Sequence, residues 1–278
     1  MSEPADATFT EVYRVRARNT ATASENRIHD DATAARYGFR GGLVPGVTVY
    51  GYLTAPVVER FGRAWLEGGA MQVRFFQPVY DGDDVMVKAV ADASSADESS
   101  SKLSLTVERD DGLVCAMATA TINASPPEPR LADYPLAPLP ADEARPAAAR
   151  ESFIVGAALG TLRETLNVKD TSRLDALDER LAIYRGDEAL AHPVALLELS
   201  NHLLMRNFKL GPWIHAASEM VNYSAARDTE VIEARGRIRD CLERKGHEFV
   251  VYDVLLVAAG SRIVQHVRHT AIYRPRFV

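Results

Sequence analysis

Cysteine is scarce in this chain of 278 residues: there are two, Cys115 and Cys241, in no metal-like spacing. Two such thiols make no disulfide framework and read as packing residues in a reducing cytoplasm. Basic charge is short as well. The net charge is −6 with no clustered Lys/Arg run, which excludes a protein built to grip a nucleic-acid backbone. Long hydrophobic runs are missing: the strongest late one, residues 249–259, is broken by Asp253 and too short to span a bilayer, so no membrane partner is expected. The acidic start, Met1-Ser2-Glu3-Pro4-Ala5-Asp6, lacks the apolar core of a secretory signal. No HxH, HExxH or CxxC pattern suggests a metal, and no GxGxxG or GKS/T pattern suggests a phosphate-cradling loop. What remains is an ordinary soluble composition, 47% apolar and 25% charged, on a chain long enough for two domains.

The two halves resemble one another at an offset of 148 residues: Pro45 and Pro193 each open an apolar stretch, and each is followed 20 residues later by one of the only two tryptophans, Trp65 and Trp213. In the same frame Val73-Arg74-Phe75 falls on Val221-Asn222-Tyr223 and Gly112 on Gly260. Several coincidences in one frame read as a duplicated domain, a pseudo-dimer within one chain. Seven of the fourteen prolines lie between Pro126 and Pro146, a composition that excludes a helix or central strand and reads as an extended linker. The expected division is residues 1–125, a linker at 126–149, and residues 150–278.

Each half repeats one order of elements. After Pro193, Leu196, Leu199 and Leu203 trace a helical stripe, while the stretch after Pro45 is apolar nearly all round, as for a helix wrapped on several sides. Pro56 predicts a kink or early end of that first helix. Strands follow. Leu103, Leu105 and Val107 alternate with polar neighbours, as do Ile232, Ala234, Gly236 and Ile238, and the acidic, serine-rich residues 92–101 read as a solvated turn. A long buried helix followed by antiparallel strands, twice over, predicts an α+β double hotdog, in which each sheet enwraps a central helix.

The segment before the first helix reads Ser24-Glu25-Asn26-Arg27-Ile28-His29-Asp30-Asp31, then Ala35, Gly38-Phe39 and Gly41-Gly42-Leu43-Val44-Pro45-Gly46. Asn26, Ile28, His29, Asp31, Ala35, Phe39, Gly41, Gly42 and Gly46 resemble the hydratase motif of the MaoC-like (R)-specific enoyl-CoA hydratases and dehydratases. Three positions depart from it: Ser24 stands at the catalytic aspartate, Arg27 at a proline, and Pro45 at the histidine before Gly46. The resemblance implies a lyase that adds water to, or removes it from, a 2-enoyl thioester carried on CoA or an acyl carrier protein. His29 would be the acid/base, with Asn26 and Ser24 positioning water and Gly42 and Asp31 beside the substrate. No dissociable cofactor and no metal is implied, and the pseudo-dimer leaves room for a further homodimer. A serine hydroxyl can hold that water but cannot act as a base near neutral pH.

The residues also carry readings that need no resemblance. Free N–H groups at Gly46 and Val47 would lie at the positive end of the first helix, where a thioester carbonyl gains charge stabilisation as an enolate forms. Ser24, Asn26 and Asp30 are natural helix caps, and the segment could simply start a short helix. The second half has its own candidates in His192, Glu198, His202 and His215. A carboxylate on the central helix, Glu198, or an acid near His29 would suit a thioesterase; a third reading is an acyl-thioester-binding protein without catalysis.

Overall fold

A computed structural model describes residues 10–91, 102–122 and 126–276. The acidic amino terminus and the serine-rich turn at 92–101 lie outside the described residues. The first half runs β1 (Thr10–Arg16), α1 (Asp31–Ala35), α2 (Gly46–Gly68), β2 (Ala70–Phe75), β3 (Asp84–Ala91), β4 (Lys102–Arg109) and β5 (Val114–Thr121). The second runs β6 (Leu162–Thr165), α3 (Ser172–Leu177), α4 (Pro193–Asn207), β7 (Ile214–Asn222), β8 (Val231–Arg244), β9 (His247–Ala258) and β10 (Arg262–Arg274).

The strands form one ten-stranded sheet in the order β1-β3-β4-β5-β2-β7-β10-β9-β8-β6, every neighbouring pair antiparallel. Read from its centre the order is palindromic. The second half mirrors the first across the β2–β7 junction, where Ala70 to Arg74 pair with Val221 to Ala217. Helix α2 packs against β2, β3, β4, β5 and β7, and α4 against β6, β8 and β10, while the two helices touch one another. Residues 47 to 54 of α2 are buried without a break, which accounts for a sequence apolar on every face. No helix among the described residues is long and apolar enough to cross a membrane.

The single repeat frame of 148 does not hold throughout. It holds at the hairpin glycines: Gly112 between β4 and β5 and Gly260 between β9 and β10 both have left-handed backbone, φ 81° and 73°. It fails at the junction, where Met71 pairs with Met220, Gln72 with Glu219 and Val73 with Ser218. Met71, Val73, Ser218 and Met220 are buried and Gln72 and Glu219 exposed, so an offset of 148 would set inward Met71 on outward Glu219. Side chains alternate with period two, and an odd offset is needed there. The tryptophans are likewise not equivalents. Trp65 lies in α2, Trp213 in the loop before β7, because α4 has 15 residues against the 23 of α2.

Pro56 does not end α2. Proline removes the N–H that would bond the Tyr52 carbonyl, and that carbonyl instead accepts the Tyr13 hydroxyl from β1. The helical backbone breaks at Gly62, φ 56° and ψ −141°. The proline-rich stretch is extended apart from 3-10 turns at Leu131–Asp133 and Asp142–Ala144, and it is anchored rather than loose. Tyr134 is buried and its hydroxyl lies 2.8 Å from His266 Nε2, while Ala137 N–H donates to Thr161 Oγ1 at 3.1 Å.

Candidate functional site

Asn26 caps a 3-10 turn, Arg27–His29, and Asp30 caps α1, its carboxylate accepting from Thr33 N–H at 3.0 Å. The capping reading of this segment therefore holds for both residues. Asn26 does more than cap. Its Oδ1 accepts from Ile28 N–H at 3.3 Å and from Trp213 N–H at 3.1 Å, while Nδ2 donates to the Trp213 carbonyl at 2.9 Å. Those two backbone bonds set which end of the amide is nitrogen. Nδ2 then also faces His29 Nε2 at 3.3 Å.

The tautomer of His29 follows. Nδ1 lies 2.7 Å from the Leu43 carbonyl, an acceptor, so Nδ1 carries the proton and Nε2 the lone pair. Burial lowers the pKa of the ring, which is neutral at pH 7. The Asn26 contact on Nε2 is long for a hydrogen bond, and a water can compete for it.

His29 and Asn26 line a cavity of about 430 Å³ between the halves. Tyr37, Phe39, Leu43 and Val49 from the first half give it an apolar lining, and the second half adds Asn201, Trp213, His215 and Ile272. Gly46 lines it at the start of α2. Pro45 occupies the cap position there and offers no side-chain hydrogen bond, so the first amides of the helix keep free N–H groups. The corresponding end of α4 is closed: Pro193 has no N–H, and His192 Nδ1 accepts from Val194 N–H at 3.2 Å. One half thus keeps an open helix end, and the other blocks it with its own histidine.

Not every sequence candidate reaches the cavity. Ser24 Oγ donates to the Asn26 carbonyl two residues further on, at 3.1 Å, and does not line the cavity. Asp31 accepts from Gly42 N–H at 2.7 Å, and a Cβ on Gly42 would stand 2.1 Å from the His29 carbonyl. Both brace the His29 loop from behind instead of lining the cavity. Val47 is buried in the helix, and its side chain is absent from the lining. No Asp or Glu lines the cavity among the described residues. Glu25 is exposed, 3.8 Å from Arg145, and Asp30 is spent on its cap. Glu198 is paired with Arg173 and lines a separate cavity of about 190 Å³, together with His192 and His202. His215 is the residue in the His29 cavity that motif spacing undervalued. Its sequence signal is a lone histidine two residues after Trp213.

No protein-family model matches the chain. No curated protein matches it either. Solved structures do. A Chloroflexus aurantiacus protein assigned as a MaoC-domain dehydratase superposes with a TM-score of 0.71 at 11% identity, over 97% of this chain and 95% of that one. A Mycobacterium tuberculosis protein, described as essential for survival during infection and as a double hotdog, gives 0.64 at 17% identity over 96% and 97%. An acyl-ACP thioesterase from Bacteroides thetaiotaomicron gives 0.50 at 12% over 94% and 97%. At these identities the likeness is one of fold, and it agrees with the palindromic sheet and its two enclosed helices: the chain is a double hotdog.

Proposed function

We propose that the chain is a MaoC-like hydratase or dehydratase acting on a 2-enoyl thioester of CoA or an acyl carrier protein in the cytoplasm. Residues 1–125 would supply the chemistry, residues 150–278 the far wall of the acyl pocket, and 126–149 the connection. The observation that carries the reading is the pairing of a neutral His29, its lone pair on Nε2, with an uncapped helix end at Gly46 in one cavity. In hydration the water oxygen bonds to C3 as Nε2 takes its proton. The pair of the C2–C3 double bond shifts to make a C1–C2 double bond and the carbonyl π pair moves onto the thioester oxygen, where the Gly46 amide stabilises the enolate. The imidazolium then returns the proton to C2, so that one water is added in all; dehydration runs the same steps backwards. No carboxylate is required, though a two-group site would be faster by about 100- to 10,000-fold. Asn26 and the clasped Trp213 backbone hold the histidine at the cavity.

The absence of a carboxylate from the described lining favours a second reading, an acyl-thioester-binding protein. The deciding experiment incubates the purified chain and His29→Ala with 2-enoyl-CoA esters of several lengths and follows mass. Gain of one water that vanishes in the variant supports the lyase. Bound but unchanged ester supports the binder. Released CoA thiol would move the reading to a thioesterase.

A further inference from the structure

The second half contributes a histidine to the cavity that the motif does not contain. His215 lies on β7, lines the cavity and is 6% exposed. It packs against the open end of α2: a Cβ on Gly46 would stand 2.8 Å from His215 Nδ1 and 2.9 Å from its Cβ. Glycine at 46 is therefore what lets this ring approach the helix end. Nδ1 is buried and has no hydrogen-bond partner among the described residues.

The other ring nitrogen is held. Nε2 lies 2.8 Å from Ser218 Oγ, and that oxygen lies 3.0 Å from Nδ1 of His269, whose ring stacks on His215 at 4.1 Å. His269 is fully buried, and its Nε2 likewise has no partner among the described residues. Where the single proton of the serine hydroxyl goes to one of the two rings, the chain of bonds runs in one of two directions. Either His215 Nε2–H donates to Ser218 and Ser218 to His269, or His269 Nδ1–H donates to Ser218 and Ser218 to His215. The first leaves an orphaned N–H on His269, sealed inside the sheet. The second leaves it on His215 Nδ1, at the cavity, where a ligand can accept it. Each direction leaves one N–H without a partner among the described residues, but only the second leaves it on a residue that lines the cavity, so a bound carbonyl acceptor selects the second.

We infer that His215 Nδ1–H stands beside the Gly46 amide as a second donor to the carbonyl oxygen of a bound acyl thioester, with Ser218 and His269 as positioning residues that hold this tautomer. The inference rests on the acyl-thioester reading above. It gives the second half a share in the chemistry beyond shaping the pocket, and it sets Gly46 and His215 as two donors from different halves aimed at one point.

The test uses the full chain labelled with 15N in its histidines, and trans-2-octenoyl-CoA carrying 13C at the thioester carbonyl. Long-range proton–nitrogen correlation reads the tautomers, and isotope-edited infrared reads the carbonyl stretch of the bound ester. The expected result is Nδ1–H on His215, a carbonyl band lowered on binding, and partial return of that band in His215→Phe. His215→Gln, which keeps a donor, should hold part of the shift, and Ser218→Ala should mix the tautomers of His215. Loss of the donor should cut kcat by about 100-fold, with less effect on KM. An Nε2–H tautomer on His215, or an unchanged carbonyl band in His215→Phe, overturns the inference while leaving thioester turnover standing. Failure of wild type to take up octenoyl-CoA overturns the thioester reading, and with it this use of the donor.

Discussion

Asn26 holds the backbone of Trp213 at both polar atoms, accepting from its N–H at 3.1 Å and donating to its carbonyl at 2.9 Å. The side chain that flanks His29 is thereby bonded to the opposite half of the chain. Asn222 makes the converse contact, donating to the Trp65 carbonyl at 3.0 Å. Each half thus sends one asparagine across to a tryptophan backbone. On the Asn26 side the bond also orders the cavity.

Asn26→Ala should therefore lose stability and activity together. Both Trp213 groups would be left unpaired in a buried place, at about 1–3 kcal/mol for each group without a replacement partner. Urea unfolding should show a lower midpoint at unchanged slope. Asn222→Ala should show a comparable fall while sparing turnover per folded molecule. Equal loss of specific activity in both variants would refute the division of roles.

Glycine substitutions should separate the helix end at the cavity from the loop that carries His29. Gly46→Ala places a methyl 2.8 Å from His215 Nδ1, and the ring must shift. Gly42→Ala places one 2.1 Å from the His29 carbonyl, which is backbone and cannot swing aside. Gly42→Ala should accordingly lower the melting temperature and the activity. Gly46→Ala, whose methyl also meets the His215 Cβ at 2.9 Å and is not cleared by ring rotation alone, should lower the melting temperature less than Gly42→Ala does and bind thioester poorly. A melting curve and a binding isotherm for each variant check this order.

The pH dependence has a definite sign. His29, His215 and His269 are neutral in the fold because burial lowers each pKa, that of His215 to about 3. Unfolded histidines titrate near 6.5, so below that pH the unfolded chain binds more protons than the folded one. The contribution of these groups to stability is complete above about pH 6.5 and is lost as pH falls toward the folded values. Activity that needs neutral His29 should stay level through pH 6.5 and fall only further into acid. Chemical unfolding at a series of pH values, beside kcat/KM, tests both limbs.

Glu198 offers a contrast within the other half. Its carboxylate is partly exposed and paired with Arg173, in a cavity separate from that of His29. Glu198→Gln should change stability by no more than about 1 kcal/mol, as for other partly solvated pairs. Thioester turnover should remain within about twofold of wild type, since the helix end beside it is already capped by His192. Loss of a hydrolytic activity in this variant would instead point to a thioesterase centred on α4.

Much of this architecture is legible in the sequence, and the exceptions have physical causes. The fold follows from a helix apolar on every face and from strands such as β4, whose alternation is local. His29, Asn26 and Gly46 lie close together in the chain, so their spacing suffices to group them. His215 joins them only through the β2–β7 junction, which no local pattern encodes. The slipped repeat frame is hidden for a related reason: equal tryptophan spacing conceals a shorter α4 balanced by a longer loop. Pro56 signals a break that Tyr13, far upstream, repairs at the Tyr52 carbonyl.

Ser24 decides between a one-group and a two-group site. Its hydroxyl bonds the Asn26 carbonyl at 3.1 Å and stays outside the cavity lining, so Ser24→Ala should lower hydration by less than about fivefold, the effect of one peripheral hydrogen bond. His29→Ala should lower it by about 100-fold or more, since the only base in the proposed step is removed. Ser24→Asp is the informative change. A carboxylate there would lie near the Asn26 carbonyl, an acceptor with which it can share no proton, and would be driven from its place. Where that displacement turns it away from Nε2, hydration stays near the wild-type rate and the single-histidine mechanism stands. A rise of more than about tenfold would mean that the carboxylate reaches the water held by His29, and that the native chain works with half of a two-group device.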